Sequence, residues 1–190
     1  ERVASLGEEL KDLVGKHALA QGGAAGQWFL GWAQARSGRP DDGYRLIRAA
    51  YEENTRLGML AGGSEVLGYA VEALLIAGDL DRAQEELEQA LEISRAFGER
   101  VYLPQLLTLE AAIARARGDV DAATVSARRA IEEARTQQAP WLELMALLDL
   151  CESKQATRAD RGALAELIDR MPQAKDMPAV AKARAVLSKR

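Results

Sequence analysis

The stretch Ala73-Leu74-Leu75-Ile76-Ala77-Gly78-Asp79-Leu80-Asp81-Arg82-Ala83-Gln84-Glu85-Glu86-Leu87-Glu88-Gln89-Ala90-Leu91 decides the fold. An apolar run ends at a Gly-Asp turn, and Ala83, Leu87, Ala90 and Leu91 follow at offsets 0, 4, 7 and 8, the stripe of an amphipathic helix. Glu85, Glu88, Glu92 and Arg95 supply its solvated side. The same punctuation stands one period of 40 residues earlier, at Ser37-Gly38-Arg39-Pro40-Asp41, and one later, at Arg117-Gly118-Asp119-Val120-Asp121. Aligned at that period, Gly43, Ala83 and Ala123 share a column, as do Ile47, Leu87 and Ala127, then Ala50, Ala90 and Ala130, then Tyr51, Leu91 and Ile131. A repeat of this length marks supersecondary units that bury their apolar faces only by stacking.

Each repeat reads as two helices. The columns above form an outer helix, begun after a Gly-x-x-Asp signal in which Gly78 or Gly118 ends the previous helix in the left-handed conformation and Asp81 or Asp121 caps the next. The preceding segments, about 60–77 and 101–117, are apolar on nearly every side through Val66, Leu67, Ala70, Val71, Leu74 and Leu75, and through Leu103, Leu106, Leu107 and Ile113. A helix of that kind is sandwiched, so these are inner helices. Second turns recur at Leu57-Gly58 and Phe97-Gly98. The expected fold is all-α, a right-handed α-solenoid of antiparallel helix pairs forming one domain over 1–190.

Its parts are an orphan outer helix over 1–20, repeats over 21–58, 59–98 and 99–138, a degenerate repeat over 139–172 and a capping helix over 173–190. Val3, Leu6, Leu10, Leu13 and Val14 form the stripe of the first helix, whose inner partner is expected to lie upstream in a longer polypeptide. The fourth unit keeps Ala163 and Leu167 in register but has Arg170 where Ala is expected, and Pro172 stops it. Asp176, with Pro178 in the first turn, begins a last helix carrying Val180, Ala183 and Leu187.

Composition agrees with an ordered helical protein: 48% hydrophobic, 28% charged and 5% aromatic residues. The single cysteine, Cys151, excludes an internal disulfide and fits a reducing compartment, so a cytoplasmic location is expected. No apolar stretch approaches the roughly 18 residues of a membrane span, so no membrane partner is expected. Net charge is −4, divided as +4 over 175–190 and −8 over 1–174. An acidic body repels polyanions, which argues against a nucleic-acid partner, and the basic tail complements the dipole of a terminal helix.

Ala83, Leu87 and Ala90, preceded by Gly78-Asp79-Leu80-Asp81-Arg82, resemble the second-helix signature of the tetratricopeptide repeat, and Gly31 stands where that repeat wants a small residue in its first helix. The period is 40 rather than about 34, Leu67 and Leu74 occupy the repeat's Trp and Tyr positions, and its closing Pro is missing. Longer repeats of this kind look like those at the carboxyl end of bacterial maltose-regulator-like ATPases and of ATPases joined to class III nucleotide cyclases. Trp28-Phe29-Leu30-Gly31-Trp32-Ala33-Gln34-Ala35 with Gly38, Gly58 and the helix after it, Gly98-Glu99-Arg100, and Ala134 through Leu144 carry that likeness. The closing Met177-Pro178 with Ala183 and Leu187 is also similar. The resemblance implies a sensory or scaffolding segment of a larger bacterial signalling or transcriptional regulator, with enzymatic or DNA-binding domains upstream.

Catalytic and metal motifs are weak. His17 is the only histidine and reads as a capping or surface residue. Cys151, aligned with Val71 and Ala111, reads as a small core residue. Gln21-Gly22-Gly23-Ala24-Ala25-Gly26-Gln27 has no following Lys-Ser/Thr and fails as a phosphate loop; Gly62-Gly63 recurs one period later, so the pair is expected to permit close approach where an inner helix begins. Asp79-x-Asp81 and Asp119-x-Asp121 lack a calcium loop and read as turn and cap residues. No enzyme and no cofactor are expected.

The tetratricopeptide resemblance implies a concave groove lined by inner helices, and carrying over its positions gives Trp28, Trp32 and Arg36, then Glu65 and Glu72, then Gln105, Thr108 and Arg115. Trp28 and Trp32 are four apart and share a face, so with Arg36 they form an anchor for a peptide or else pack against the first helix. The expected function is a non-catalytic module that binds a protein or peptide, an upstream domain of the same polypeptide being one candidate. The alternative is a small-molecule sensor controlling an upstream ATPase or cyclase.

Overall fold

The computed structural model describes residues 2–17 and 20–188; between positions 11 and 25 the described side chains are those of Asp12, Leu13 and Lys16. The expectations for His17 and Val14 therefore lie outside the described side chains, and Lys189 and Arg190 outside the described residues. The described residues are all-α: α1 (Arg2–His17), α2 (Ala20–Arg36), α3 (Pro40–Arg56), α4 (Gly63–Ala77), α5 (Leu80–Phe97), α6 (Leu103–Ala116), α7 (Val120–Thr136), α8 (Pro140–Glu152), α9 (Arg158–Asp169) and α10 (Pro178–Ser188), with a 3₁₀ turn at Pro172–Ala174. None of these helices is long and apolar enough to cross a membrane. The chain divides into two compact units, Glu1–Tyr102 and Leu103–Arg190.

Helix ends follow local chemistry. Pro40 opens α3 with Asp41 and Asp42 in the first turn and Arg56 in the last, the arrangement that favours the helix dipole. The caps of α5 and α7 are Asp79 and Asp119, which accept the backbone N–H of Arg82 at 3.2 Å and of Ala122 at 2.9 Å. This corrects the assignment to Asp81 and Asp121. Leu80 and Val120 are already helical, so the second aspartate of each pair lies in the first turn, where it meets the dipole instead of an orphan N–H. Among the described residues positive φ occurs at Gly38, Gly58, Gly78, Gly98, Gly118 and Gln138, spaced by twenty, and additionally at Gly62. Gln138, at φ 53°, holds this backbone without the freedom of glycine.

In the first unit three of the four repeated columns are buried, Gly43, Ile47 and Ala50 on α3 and Ala83, Leu87 and Ala90 on α5, while Tyr51 and Leu91 of the fourth are half-buried. Between them α4 buries Val66, Leu67, Ala70, Val71 and Leu74, leaving Leu75 half-buried, and touches α2, α3 and α5. Its half-buried strip is Glu65, Tyr69 and Glu72. Two glycines let α2 and α3 approach: a Cβ on Gly43 would lie 2.4 Å from the Gly31 carbonyl oxygen, and one on Gly31 2.6 Å from that of Gly43. Glu86, 8% exposed, joins α3 to α5 by accepting from Tyr44 Oη at 2.7 Å and Arg48 Nη1 at 2.9 Å.

Two expectations fail in this unit. Gly63 needs no close approach, since a Cβ there would meet Tyr51 and Ile93 at ordinary distances of 3.5 Å and more; Gly62 instead caps α4 in the left-handed conformation, φ 79°, while Gly22 and Gly23 lie inside α2. The α1 stripe also splits. Gly7 is buried, with Leu30 2.8 Å from where its Cβ would stand, and Val3 and Leu10 are half-buried, but Leu6 and Leu13 are more than half exposed. A glycine at the contact turns the helix so that Leu6 and Leu13 face away from α2.

The second unit has one core, built on Leu107, Leu144, Leu147, Cys151, Leu164 and Val180 with their neighbours. Ala123, Ala127, Ala130 and Ile131 of α7 are buried in the expected columns. On α9 the register drifts: Ala163 is half-buried and Leu164, Leu167 and Ile168 take the interior. Thr157 and Asp160 begin this helix with a capping box, and Arg170, exposed, ends it. α10 buries Val180, Ala183 and Val186, leaves Leu187 half-buried and turns Lys182 and Arg184 outward.

Candidate functional site

Five of the expected residues meet in the first unit, on the face made by α2 and α4. Helical spacing puts Trp28, Trp32 and Arg36 along one side of α2 and Glu65, Tyr69 and Glu72 along one side of α4. Trp32 Nε1 donates to Glu72 Oε2 at 2.7 Å, a hydrogen bond between residues one period apart. The Arg36 guanidinium lies 5.3 Å from the Trp32 ring centroid and 3.9 Å from Glu72 Oε2, with its side chain 57% exposed. Tyr69 meets Trp32 edge-on at 6.3 Å, Phe29 lies 6.0 Å from Tyr69, and Trp28 is 5.8 Å from Phe29. Both tryptophans are half-buried, packed against a cluster of Ala35, Ile47, Val66, Ala70 and Ala73 drawn from α2, α3 and α4. The Trp28 indole N–H is buried with no protein partner.

Glu65 makes this face electrically asymmetric. It accepts from Tyr69 Oη at 2.9 Å and from the hydroxyl of Tyr102. Burial, reinforced by the charge of Glu65, pushes the Tyr69 hydroxyl well above the ordinary tyrosine range, and the hydrogen bond to Glu65, with burial behind it, pushes Tyr102 up to about 12. Beside a carboxylate that repels it, the phenolate forms only at strongly alkaline pH. The tyrosines stay protonated donors, and the face presents carboxylates set among rings.

The other three expected residues belong to the second unit. Gln105 is half-buried on α6; Thr108 turns its hydroxyl back to the Pro104 carbonyl at 2.9 Å. Arg115 is paired bidentately with Asp149 of α8, at 2.8 and 2.5 Å, and this pairing holds its guanidinium above the ordinary value. Nearby, Arg115, Val120, Ala123, Leu150, Lys154 and Gln155 border a mostly apolar cleft of about 300 Å³. A wider one, of about 600 Å³, lies between Arg135, Glu143, Glu166 and Arg170.

Sequence reasoning missed Phe29, Tyr69, Tyr102 and Asp149. Tyr69 was findable, being four residues after Glu65 and three before Glu72 on the same strip. Phe29 adjoins Trp28 and was passed over because a neighbour in sequence points elsewhere on an ideal helix. Nothing in the spacing announces Tyr102 or Asp149.

Cys151 is buried, and burial pushes its thiol up, away from the reactive thiolate. Among the described residues no group of three or more His, Cys, Asp or Glu is placed to hold a metal ion. No protein-family model and no curated protein matches the chain, so the aromatic and carboxylate face of α2 and α4 is interpreted from its own residues.

Proposed function

We propose that the chain is a non-catalytic recognition module, a right-handed α-solenoid of long tetratricopeptide-like repeats. In this reading its inner helices line the binding surface for a protein segment, α2 and α4 doing so in the first unit. The hydrogen bond from Trp32 to Glu72 carries the reading, because side chains in the same column of successive repeats meet when like helices stack side by side. Half-exposed tryptophan and tyrosine beside charged groups is the composition of protein-binding hot spots. The resemblance to carboxyl-terminal segments of bacterial ATPase regulators adds a place for such a module, within a cytoplasmic signalling or transcriptional regulator whose other domains are its candidate partners.

A second reading, small-molecule sensing, draws support from the mostly apolar cleft beside Arg115, whose volume of about 300 Å³ falls at the lower edge of ligand pockets. Phage selection of random peptides on the immobilised chain, with Trp32→Ala as the control surface, separates the two. Peptides enriched on the wild type and lost on Trp32→Ala support the groove. Failure to enrich any sequence sinks the peptide-binding reading.

A further inference from the structure

We propose, building on the peptide-binding reading above, that Trp32 and Glu72 form a receptor for the cationic side chain of a basic protein segment, with Arg36 as its loosely held internal occupant. The Arg36 guanidinium shows what the site accepts, since it sits over the Trp32 ring while facing the Glu72 carboxylate. It is held weakly. Its one ion-pair distance to Glu72 is 3.9 Å, at the limit of such a contact, and its side chain is 57% exposed, whereas Arg115 makes two bonds of 2.5 and 2.8 Å to Asp149. Glu72 is oriented by the Trp32 indole N–H at 2.7 Å, so the carboxylate stays aimed when Arg36 leaves.

The surroundings select the sign of the partner. Phe29 and Tyr69 extend the aromatic surface beside Trp32, and Glu65 adds a second carboxylate on the same strip of α4. The first unit carries 17 Asp and Glu against 11 Arg and Lys, a net −6, so the field around the face attracts cations and repels acidic segments. An incoming arginine or lysine replaces Arg36 over the ring and pairs with Glu72, and its neighbouring apolar residues cover Phe29.

Isothermal titration calorimetry on the full chain tests this with two acetylated, amidated heptapeptides, one Ala-Ala-Arg-Ala-Ala-Arg-Ala and the other with Glu in both Arg places. The Trp32 indole N–H resonance serves as the site reporter. The basic peptide binds, shifts that resonance and weakens as salt rises, and the acidic one does not bind. Glu72→Gln weakens the basic peptide tenfold or more. Arg36→Ala, a change at an exposed side chain whose fold is checked by circular dichroism, tightens it threefold or more because the competing guanidinium is gone. Unchanged or weaker binding to Arg36→Ala overturns the proposal, as does tighter binding of the acidic peptide. If phage selection yields Trp32-dependent peptides that are acidic or uncharged, this proposal falls and the peptide-binding reading stands; if it yields none, both fall.

Discussion

Replacing Gly43 with alanine sets two opposed effects against each other at the α2–α3 contact. In a helix interior alanine is favoured over glycine by about 0.5–1 kcal/mol, chiefly through chain entropy. The new Cβ would stand 2.4 Å from the Gly31 carbonyl oxygen, 2.8 Å from the Ala35 nitrogen and 2.9 Å from its Cβ, all backbone or backbone-fixed atoms. Ordinary contact needs about 1 Å more. Parting the helices by that much forfeits a quarter to a half of the dispersion contact along the seam, where Ala35, Ile47 and Ala50 are buried. Overpacking costs about 1–3 kcal/mol, and clashes this short on backbone atoms put it near the upper end, so the net loss is about 2 kcal/mol, a fall on the order of 8–16 °C in midpoint for a unit of this size. Urea unfolding followed by tryptophan fluorescence in a Trp141→Phe background isolates the effect, since Trp28 and Trp32 then report on the first unit alone. Gly162→Ala, in the second unit and read by circular dichroism instead, is the control: nothing lies within 4 Å of its Cβ position on α9, and it gains about 0.5–1 kcal/mol. Because one separation relieves both clashes, Gly31→Ala with Gly43→Ala costs less than the sum of the single changes. A Gly43→Ala chain as stable as the wild type, or more stable, refutes the close approach.

Gln138→Gly releases a side chain from the left-handed region and raises the stability of the second unit by about 0.5–1 kcal/mol, read as a higher urea midpoint by circular dichroism. Asp160 is opposed by burial, but hydrogen bonds from the Thr157 side chain and backbone and from Arg128 win and hold its carboxyl below the ordinary 3.8. With a lowered folded value its contribution is present above 3.8 and lost as pH falls toward the lowered value, so Asp160→Asn gives a shallower acid limb in a stability profile. Glu65→Gln returns Tyr102 from about 12 toward the ordinary 10, seen as earlier phenolate absorbance in an alkaline titration; an unchanged curve contradicts the hydrogen bond.

The repeat was legible in the sequence because packing enforces it: a column such as Ala50, Ala90 and Ala130 is fixed by what each helix buries. The caps were less legible. Asp79 and Asp81 offer the same chemistry two residues apart, and only the phase of the helix, beginning at Leu80, chooses between them. Gly7 misled for a similar reason, since a glycine in a helix reads as a weak point and here marks the contact with Leu30. At the candidate site, Trp32 and Glu72 could be linked in advance because they occupy one repeat column. Tyr102 could not, since it lies in the turn between α5 and α6, outside any helix, and its hydrogen bond to Glu65 has no periodic counterpart.

Left-handed residues twenty positions apart give the chain a ruler. Any two of them separated by forty bound a segment that starts and finishes in the same backbone state, so under the proposed solenoid reading residues 79–118 would make one exchangeable cassette. An insertion inside a helix turns the rest of that helix's apolar stripe by about 100° per residue and brings it back to its seam only after whole turns. Under that reading, lengthening by whole cassettes is the route by which such a sequence would grow without redesigning its core.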